Sequence, residues 1–337
     1  MNEGWNVFIS LVCVVGVTCT APLLLMMVWR RLLHFRHQKD NQDITTEAQQ
    51  RLEKEMDDSD DMELFLRRRI SFLTEKEMLN LECGDFLGRG AYGCVRRVVY
   101  QGTQAVLKEF HDPSRLHVLL REARLSLLLD GAGGVPRVLA VCRDPAAMVQ
   151  EFVGKTYDQF LVKCCVIGLL DSLVAICCRL EEMHAKGVIH NDLKVHNLTY
   201  TGSVTEPVLH IIDLGLACRA GRVADDFRAK SATEEEEQEY CDNEDIASPW
   251  PWVAPEMLAG RRVRASGDVY SLGFLLQYLT EGCRQHVLAQ GLWRTGQLCL
   301  QRDPRRRPSL RQVILAIKDL RDKLLPHELD EKFDFHE

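Results

Sequence analysis

The sequence predicts an α+β protein in which a small β-rich region precedes a larger, mainly helical region, with one transmembrane helix ahead of both. Three observations on the 337 residues support this prediction. Residues 5–29 carry no charge, three strand-like runs occur between residues 81 and 110, and apolar residues recur at helical spacing over residues 169–183. Alternation with a period of two favours strands, whereas apolar residues three and four positions apart favour a helix.

The composition excludes several classes of protein. Hydrophobic residues make up 46% and charged residues 27% of the chain, so collagen-like, mucin-like and wholly disordered proteins are ruled out. The net charge of -7 argues against a broad surface for nucleic acid, and no nucleic-acid partner is expected. The 13 cysteines are odd in number and irregularly spaced, which favours reduced thiols over a disulfide framework or a zinc site.

The uncharged segment at residues 5–29 is long enough to cross a bilayer, which takes about 20 apolar residues in a helix. Trp5 and Trp29 stand at its ends, where amphipathic rings prefer the headgroup level, and a basic run begins at Arg30. Because positive charge stays in the cytosol, we expect a single-pass membrane protein with residues 1–4 outside and the rest inside. A cleaved signal peptide or a buried helix is the alternative, but the acidic leading residues do not fit a signal peptide.

Polar composition sets the remaining boundaries. Gln, Asp, Glu and Lys dominate residues 30–79, which we interpret as a juxtamembrane linker with disordered parts. The β-rich region is placed at residues 80–154, the helical region at 155–325, and a C-terminal tail at 326–337.

A glycine-rich turn follows the first strand-like run. Gly88, Gly90 and Gly93 form a G-x-G-x-x-G pattern that Leu87 precedes and Val95 follows. Glycine lets a backbone approach phosphates without hindrance from a Cβ atom. A dinucleotide-binding fold would need a helix after the third glycine, yet the strand-like run CVRRVVY follows, so a β-hairpin over phosphates is favoured.

The third strand-like run ends at Ala105-Val106-Leu107-Lys108. Fourteen residues later, Glu122 lies in a segment with the apolar spacing of a helix. Glu122 is therefore a candidate partner for Lys108, the alternative being an exposed helix glutamate. A buried strand then runs to Gln150 and is followed by Glu151 and Val153.

Later motifs carry the most specific signal. The long helix leads into a loop in which Asp192, Lys194 and Asn197 keep a fixed spacing, and a buried strand then delivers Asp213 to the sequence Leu214-Gly215. Ala254-Pro255-Glu256, Ser266-Gly267-Asp268 and Asp303-Pro304-Arg305-Arg306-Arg307-Pro308 come after them.

Together and in this order, these motifs resemble the eukaryotic protein kinase superfamily over about residues 80–325. The resemblance implies a two-lobed protein-kinase fold, with a small antiparallel lobe of five strands and one helix, and a larger, mainly helical lobe. It also implies that ATP and Mg²⁺ bind between the lobes and that the γ-phosphoryl group passes to a hydroxyl of a protein substrate.

Each candidate residue then has an implied role. Asp192 would accept or orient the proton of the attacking hydroxyl, Lys194 would steady the γ-phosphate, and Lys108, held by Glu122, would contact the α- and β-phosphates. Asn197 and Asp213 would hold magnesium, and Glu256 would pair with Arg307. The nucleotide site would comprise Leu87, Gly88, Gly90, Gly93, Val95, Ala105, Lys108, Gln150 as the gatekeeper, Glu151 and Val153.

Three departures from the family pattern matter. Asn191 replaces the arginine that clamps an activation-segment phosphate, so activity is expected to depend little on phosphorylation there. The segment from Asp213 to Glu256 is long and acidic, which favours a solvated loop or, as an alternative, a surface that selects basic substrates. Lys194 is typical of serine/threonine kinases, but Pro249-Trp250-Pro251-Trp252 resembles the substrate platform of tyrosine kinases, and the threonine that commonly braces the lysine is absent.

Two classes of function remain open. One is an active, membrane-tethered protein kinase of serine/threonine type, which could associate with other membrane proteins. The other is a pseudokinase that uses the fold as a nucleotide-binding or protein-binding scaffold. Complete phosphate, lysine and magnesium-site residues favour the first.

Overall fold

The computed structural model describes residues 62–89, 93–222 and 250–335. Eleven strands lie in these ranges: β1 (Ser71–Leu73), β2 (Glu82–Arg89), β3 (Gly93–Tyr100), β4 (Thr103–Phe110), β5 (Val138–Cys142), β6 (Ala147–Glu151), β7 (Lys155–Thr156), β8 (Val188–Ile189), β9 (Leu198–Gly202), β10 (Pro207–Ile211) and β11 (Cys218–Arg219). The α-helices of the same ranges are α1 (Met62–Arg67), α2 (Glu75–Leu79), α3 (Leu116–Leu129), α4 (Tyr157–Leu161), α5 (Val166–Ala185), α6 (Pro255–Leu258), α7 (Ala265–Thr280), α8 (His286–Cys299), α9 (Leu310–Lys323) and α10 (Pro326–Asp330).

Some predicted features fall outside the described residues. These are the transmembrane segment at residues 5–29, linker residues 30–61, Gly90, and residues 223–249 of the acidic segment. Within the ranges that the structure does describe, no helix has both the length and the apolar character needed to cross a membrane.

The small lobe is built on a six-stranded sheet with the order β1-β5-β6-β4-β3-β2. Strands β2 to β6 pair antiparallel, as predicted for a five-stranded lobe, and α3 is its long helix. Alternate residues of β4 form part of the apolar core, where Ala105 and Leu107 pack with Val98 and Val149. The opposite face of β4 is thereby left for Lys108 and the cleft.

An additional strand and two helices precede the predicted start of the small lobe. Strand β1 pairs in parallel with β5, and α1 contacts α3. Phe65, Leu66 and Met78 are buried there, so residues 62–79 belong to the small lobe and not to a linker. The polar composition of residues 62–79 favoured a linker, because the three apolar side chains that anchor the segment stand among many charged residues.

Leu66 provides a test of that packing. Leu66→Ala is expected to destabilise the protein by about 2–5 kcal/mol, because the side chain is fully buried and its removal leaves a cavity. Leu64→Ala is the matched control: Leu64 lies in the same helix but is 48% exposed, and its loss should cost at most about 0.5 kcal/mol. Urea denaturation of the purified chain measures both effects, and equal losses would show that α1 is not anchored.

The large lobe is mainly helical and surrounds α5. Helix α9 packs against α5, and α8 packs against α7. The predicted C-terminal tail lies on this lobe: Phe333 is buried, and its backbone N–H donates to the carbonyl of Cys164 at 3.0 Å.

Candidate active site

A buried aspartate on a neighbouring helix holds the loop that carries Asp192. Asp268, on α7, is fully buried and accepts hydrogen bonds from the backbone N–H groups of His190 (2.9 Å) and Asn191 (2.7 Å). His184 contacts the same carboxylate at 2.7 Å. Although burial acts to raise the pKa of Asp268, these partners outweigh it and lower the pKa. An ionised carboxylate therefore anchors the turn.

Asn191 fits this turn both in conformation and in bonding. Its φ of 66° lies in the left-handed region, which asparagine tolerates better than most residues. The side chain is buried, and its amide donates to the carbonyls of Leu216 (3.0 Å) and Ile189 (3.4 Å). Asn191 thus joins the loop of Asp192 to the segment after Asp213 through neutral hydrogen bonds.

The Asp192 carboxylate is held by donors from two parts of the chain. Lys194 Nζ lies 3.1 Å from Oδ1 and 2.9 Å from Oδ2. Asn197 Nδ2 donates to Oδ2 at 2.9 Å and to the Asp192 carbonyl at 2.7 Å. Trp252 Nε1 donates to Oδ1 at 2.7 Å. The motif around Trp252 resembles a substrate platform, and nothing in its spacing indicates this contact with Asp192.

Lys108 joins two carboxylates, that of Glu122, its predicted partner, and that of Asp213, which was not predicted to contact it. Its Nζ lies 2.9 and 3.0 Å from the Glu122 oxygens and 2.8 Å from Asp213 Oδ1. Burial acts to lower the pKa of Lys108, but the two carboxylates outweigh it and raise the pKa. Burial is also the largest influence on Glu122 and leaves its pKa above the ordinary value despite Lys108. Asp213 is partly exposed; desolvation acts to raise its pKa, but Lys108 outweighs this effect and lowers the pKa to about 2.

This low pKa predicts a specific loss of stability in acid. A carboxyl group whose pKa is lowered on folding stabilises the protein above its unfolded pKa, and that contribution disappears as the pH falls toward the folded pKa. The stability advantage of the wild type over Asp213→Asn should therefore shrink between about pH 5 and pH 2. Denaturation of both proteins across this range measures the advantage, and a constant difference would contradict the Lys108–Asp213 ion pair.

Both lobes line one cavity of about 980 Å³. Residues predicted for the site that line it are Leu87, Gly88, Val95, Lys108, Glu122, Gln150, Glu151, Val153, Asp192, Lys194, Asn197 and Asp213. The central expectation from the sequence was that Lys108, Asp192, Asn197 and Asp213 converge, and these four side chains do share this cavity.

Two predicted nucleotide contacts do not line the cavity. Ala105 is fully buried in the small-lobe core, and Val106 faces the cleft in its place. Strand alternation explains this correction, since Lys108 and Val106 are two residues apart and share a face. Gly93 has a different constraint: a Cβ atom there would lie 1.7 Å from the Glu109 carbonyl oxygen, so glycine permits strand packing.

The cavity fits ATP and Mg²⁺ by its donor set. Asp213 offers a carboxylate, and Asn197 uses its amide N–H groups on Asp192, which leaves its carbonyl oxygen for a cation. Mg²⁺ takes such oxygen ligands together with phosphates. The described residues contain no cluster of three or more His, Cys, Asp and Glu suited to a metal. Thr199 also lines the cavity, with a buried hydroxyl that has no partner in the described parts of the chain.

The chain is similar to several curated protein kinases. A probable serine/threonine-protein kinase of Dictyostelium discoideum is 24% identical over 299 residues, which cover 77% of this chain and 46% of that protein. Serine/threonine-protein kinase PknD of Chlamydia pneumoniae is 28% identical over 222 residues, covering 58% and 23%. Calcium-dependent protein kinase 27 of Arabidopsis thaliana is 26% identical over 219 residues, covering 59% and 41%.

The chain spans less than half the length of each of these relatives. A family model described as the protein kinase domain matches residues 81–292, a range that contains the glycine-rich turn, Lys108, the Asp192 loop and Asp213. Because this match covers more than half of the sequence, the chain belongs to the protein kinase domain family.

Proposed function

We propose that this chain is an ATP-dependent protein kinase that transfers the γ-phosphoryl group to hydroxyl groups of a protein substrate. The observation that carries the proposal is the shared cavity of Lys108, Asp192, Asn197 and Asp213, with Lys108 already bonded to Glu122. Phosphoryl transfer requires positioning and charge neutralisation more than covalent chemistry, and this set of side chains can supply both.

Each side chain has one task in this reaction. Lys108, positioned by Glu122, binds the α- and β-phosphates, and Asp192 accepts or orients the proton of the attacking hydroxyl. Lys194 neutralises charge that develops on the transferred group. Mg²⁺ held by Asn197 and Asp213 would neutralise the β- and γ-phosphates.

A phosphorylation assay tests the function. The purified chain with Mg²⁺ and ATP labelled at the γ-position should phosphorylate a generic protein substrate. The Asp192→Asn substitution should lower the phosphorylation rate by about 100-fold or more. Asp192→Asn must still bind nucleotide, which excludes misfolding as the cause. Nucleotide binding by the wild type without turnover would overturn the proposal and favour the scaffold alternative.

We further propose specificity for serine and threonine. Lys194, two residues after Asp192, supports this specificity, as does the similarity to serine/threonine-protein kinases, although Pro249-Trp250-Pro251-Trp252 resembles the tyrosine-kinase platform. Phosphoamino-acid analysis of the products distinguishes the two classes. Phosphotyrosine as the main product would contradict the proposal.

Activation without a phosphate clamp is also proposed. Asn191 already joins the Asp192 loop to Leu216 through hydrogen bonds, in the position where related kinases have an arginine. A variant in which Ser231, Thr233, Tyr240 and Ser248 are all replaced by residues without hydroxyl groups should keep most of its activity. Loss of activity in a folded variant would contradict this proposal.

For residues 5–29 we propose a single membrane-spanning anchor, with the kinase domain in the cytosol and lateral association with other membrane proteins as a further role. The uncharged length of the segment, its terminal tryptophans and the basic run after it support the proposal. Alkaline extraction of membranes should leave the full chain in the pellet, and deletion of residues 1–30 should release it. Protease added to intact cells should not reach the kinase domain.

A further inference from the structure

We propose that Trp252 is a positioning residue for phosphoryl transfer, acting through Asp192 and Lys194. Its indole N–H donates to Asp192 Oδ1 at 2.7 Å, and its ring lies under the ammonium of Lys194, 4.7 Å from Nζ to the ring centroid. The inference rests on the proposed kinase activity. It adds Trp252 to Lys194 and Asn197 as a hydrogen-bond donor that holds the Asp192 carboxylate.

The three donors hold the carboxylate in complementary ways. Lys194 bridges both oxygens, so it fixes the distance of the carboxylate but not the rotation of its plane. Asn197 holds Oδ2, and Trp252 holds Oδ1. The last torsion of an aspartate side chain is broad, so two rigid donors on different oxygens are needed to set the plane. Among the described residues, removal of Trp252 leaves Lys194, whose stem is flexible, as the one donor to Oδ1.

The ring of Trp252 acts on the second residue. A cation over an aromatic face within about 6 Å of the centroid is attracted to it, and tryptophan attracts it most strongly. Lys194 has a flexible stem with three donors, and this contact restricts where its ammonium can lie. One side chain therefore orients both the group that handles the proton and the group that neutralises the phosphate.

The local structure keeps Trp252 rigid. It lies in a turn closed by a hydrogen bond from Val253 N–H to the Trp250 carbonyl at 2.9 Å. The next two residues, Val253 and Ala254, are buried, and Phe274 packs against the indole at a centroid distance of 6.2 Å. An indole fixed in this way loses little entropy when it holds Asp192, which suits a positioning role.

Trp252→Phe tests the inference, because it removes the N–H donor to Asp192 and still leaves a smaller aromatic ring for Lys194. A hydrogen bond to a charged group predicts a fall in kcat of about 10- to 100-fold. KM for ATP and nucleotide affinity should stay within about twofold, because the contact is to Asp192 and not to the nucleotide. Trp252→Leu removes the ring as well, and kcat should fall further.

Trp293→Phe is the matched control, since Trp293 is 51% exposed on α8 and does not line the cavity. It should leave kcat unchanged. If the wild type transfers phosphate and Trp252→Phe keeps its kcat, the inference is wrong and the kinase function stands. A parallel loss of kcat, nucleotide affinity and thermal stability would assign Trp252 a structural role only, which also overturns the inference. A wild type without turnover overturns both proposals.

Discussion

Lys108→Met is expected to abolish phosphoryl transfer and to destabilise the small lobe in the same protein. Loss of a positioned charge at the phosphates predicts a fall in kcat/KM of about 100- to 1000-fold. The variant also leaves Glu122, whose side chain is 1% exposed, without its counter-charge. Removing one partner of a buried ion pair costs about 3–5 kcal/mol. Steady-state kinetics and urea denaturation measure the two losses separately.

A second substitution separates these two effects. In the double variant Lys108→Met/Glu122→Gln, the carboxylate that has lost its counter-charge is replaced by a neutral amide of the same shape. The double variant should recover part of the lost stability, and its activity should not recover. Lys163→Met, at an exposed position on the large lobe, is the control for the substitution itself. An active Lys108→Met enzyme would contradict the role of Lys108 at the phosphates. A double variant no more stable than the single one would contradict the buried ion pair.

Arg307→Ala is expected to destabilise the large lobe by about 3–5 kcal/mol without touching the cavity. The Arg307 guanidinium makes two parallel contacts with Glu256, at 2.6 and 2.7 Å, and its side chain is 0% exposed. It also donates to the carbonyls of Gln301 (2.7 Å) and Ser266 (2.9 Å). Since domains are stable by only about 5–15 kcal/mol, the loss should bring the variant close to unfolding.

The geometry of this pair sharpens the test. Arg307→Lys keeps the charge but cannot form the two-pronged contact, so most of the stability should still be lost. Arg306→Ala changes the neighbouring, exposed arginine and should change the free energy of unfolding by at most about 0.5 kcal/mol. Thermal and urea denaturation compare the three variants. If the Arg307→Lys protein were as stable as the wild type, the two parallel contacts between Arg307 and Glu256 would not be needed for stability.

The sequence predicted those parts of the fold that follow from local periodicity. Local periodicity predicted the three strands between residues 81 and 110, the helix that carries Glu122 and the long helix before Asp192, and all of them form. The count of five strands was implied by the family resemblance and not by periodicity. Strand β1 was missed, because three residues are too few to show alternation and its paired residues in β5 lie 69 positions further along the chain. Short parallel pairing leaves almost no local signal.

The site shows a similar division. Motif order placed Lys108, Asp192, Asn197 and Asp213 correctly in one cavity, since a loop and two strand ends determine their positions. Ala105 was assigned by residue type, whereas strand alternation, applied from Lys108, would have selected Val106. The bond from Trp252 to Asp192 joins residues 60 positions apart and depends on how a turn of the large lobe closes, which no spacing rule encodes.

The packing of residues 62–79 decides where the protein can be truncated without loss of small-lobe contacts. A recombinant fragment cut at residue 80, where the family resemblance begins, would expose the surface of α3 that α1 covers and leave β5 as an open sheet edge, which invites aggregation. Since α3 carries Glu122, a fragment without residues 62–79 would also lack one of the contacts that hold this helix in place.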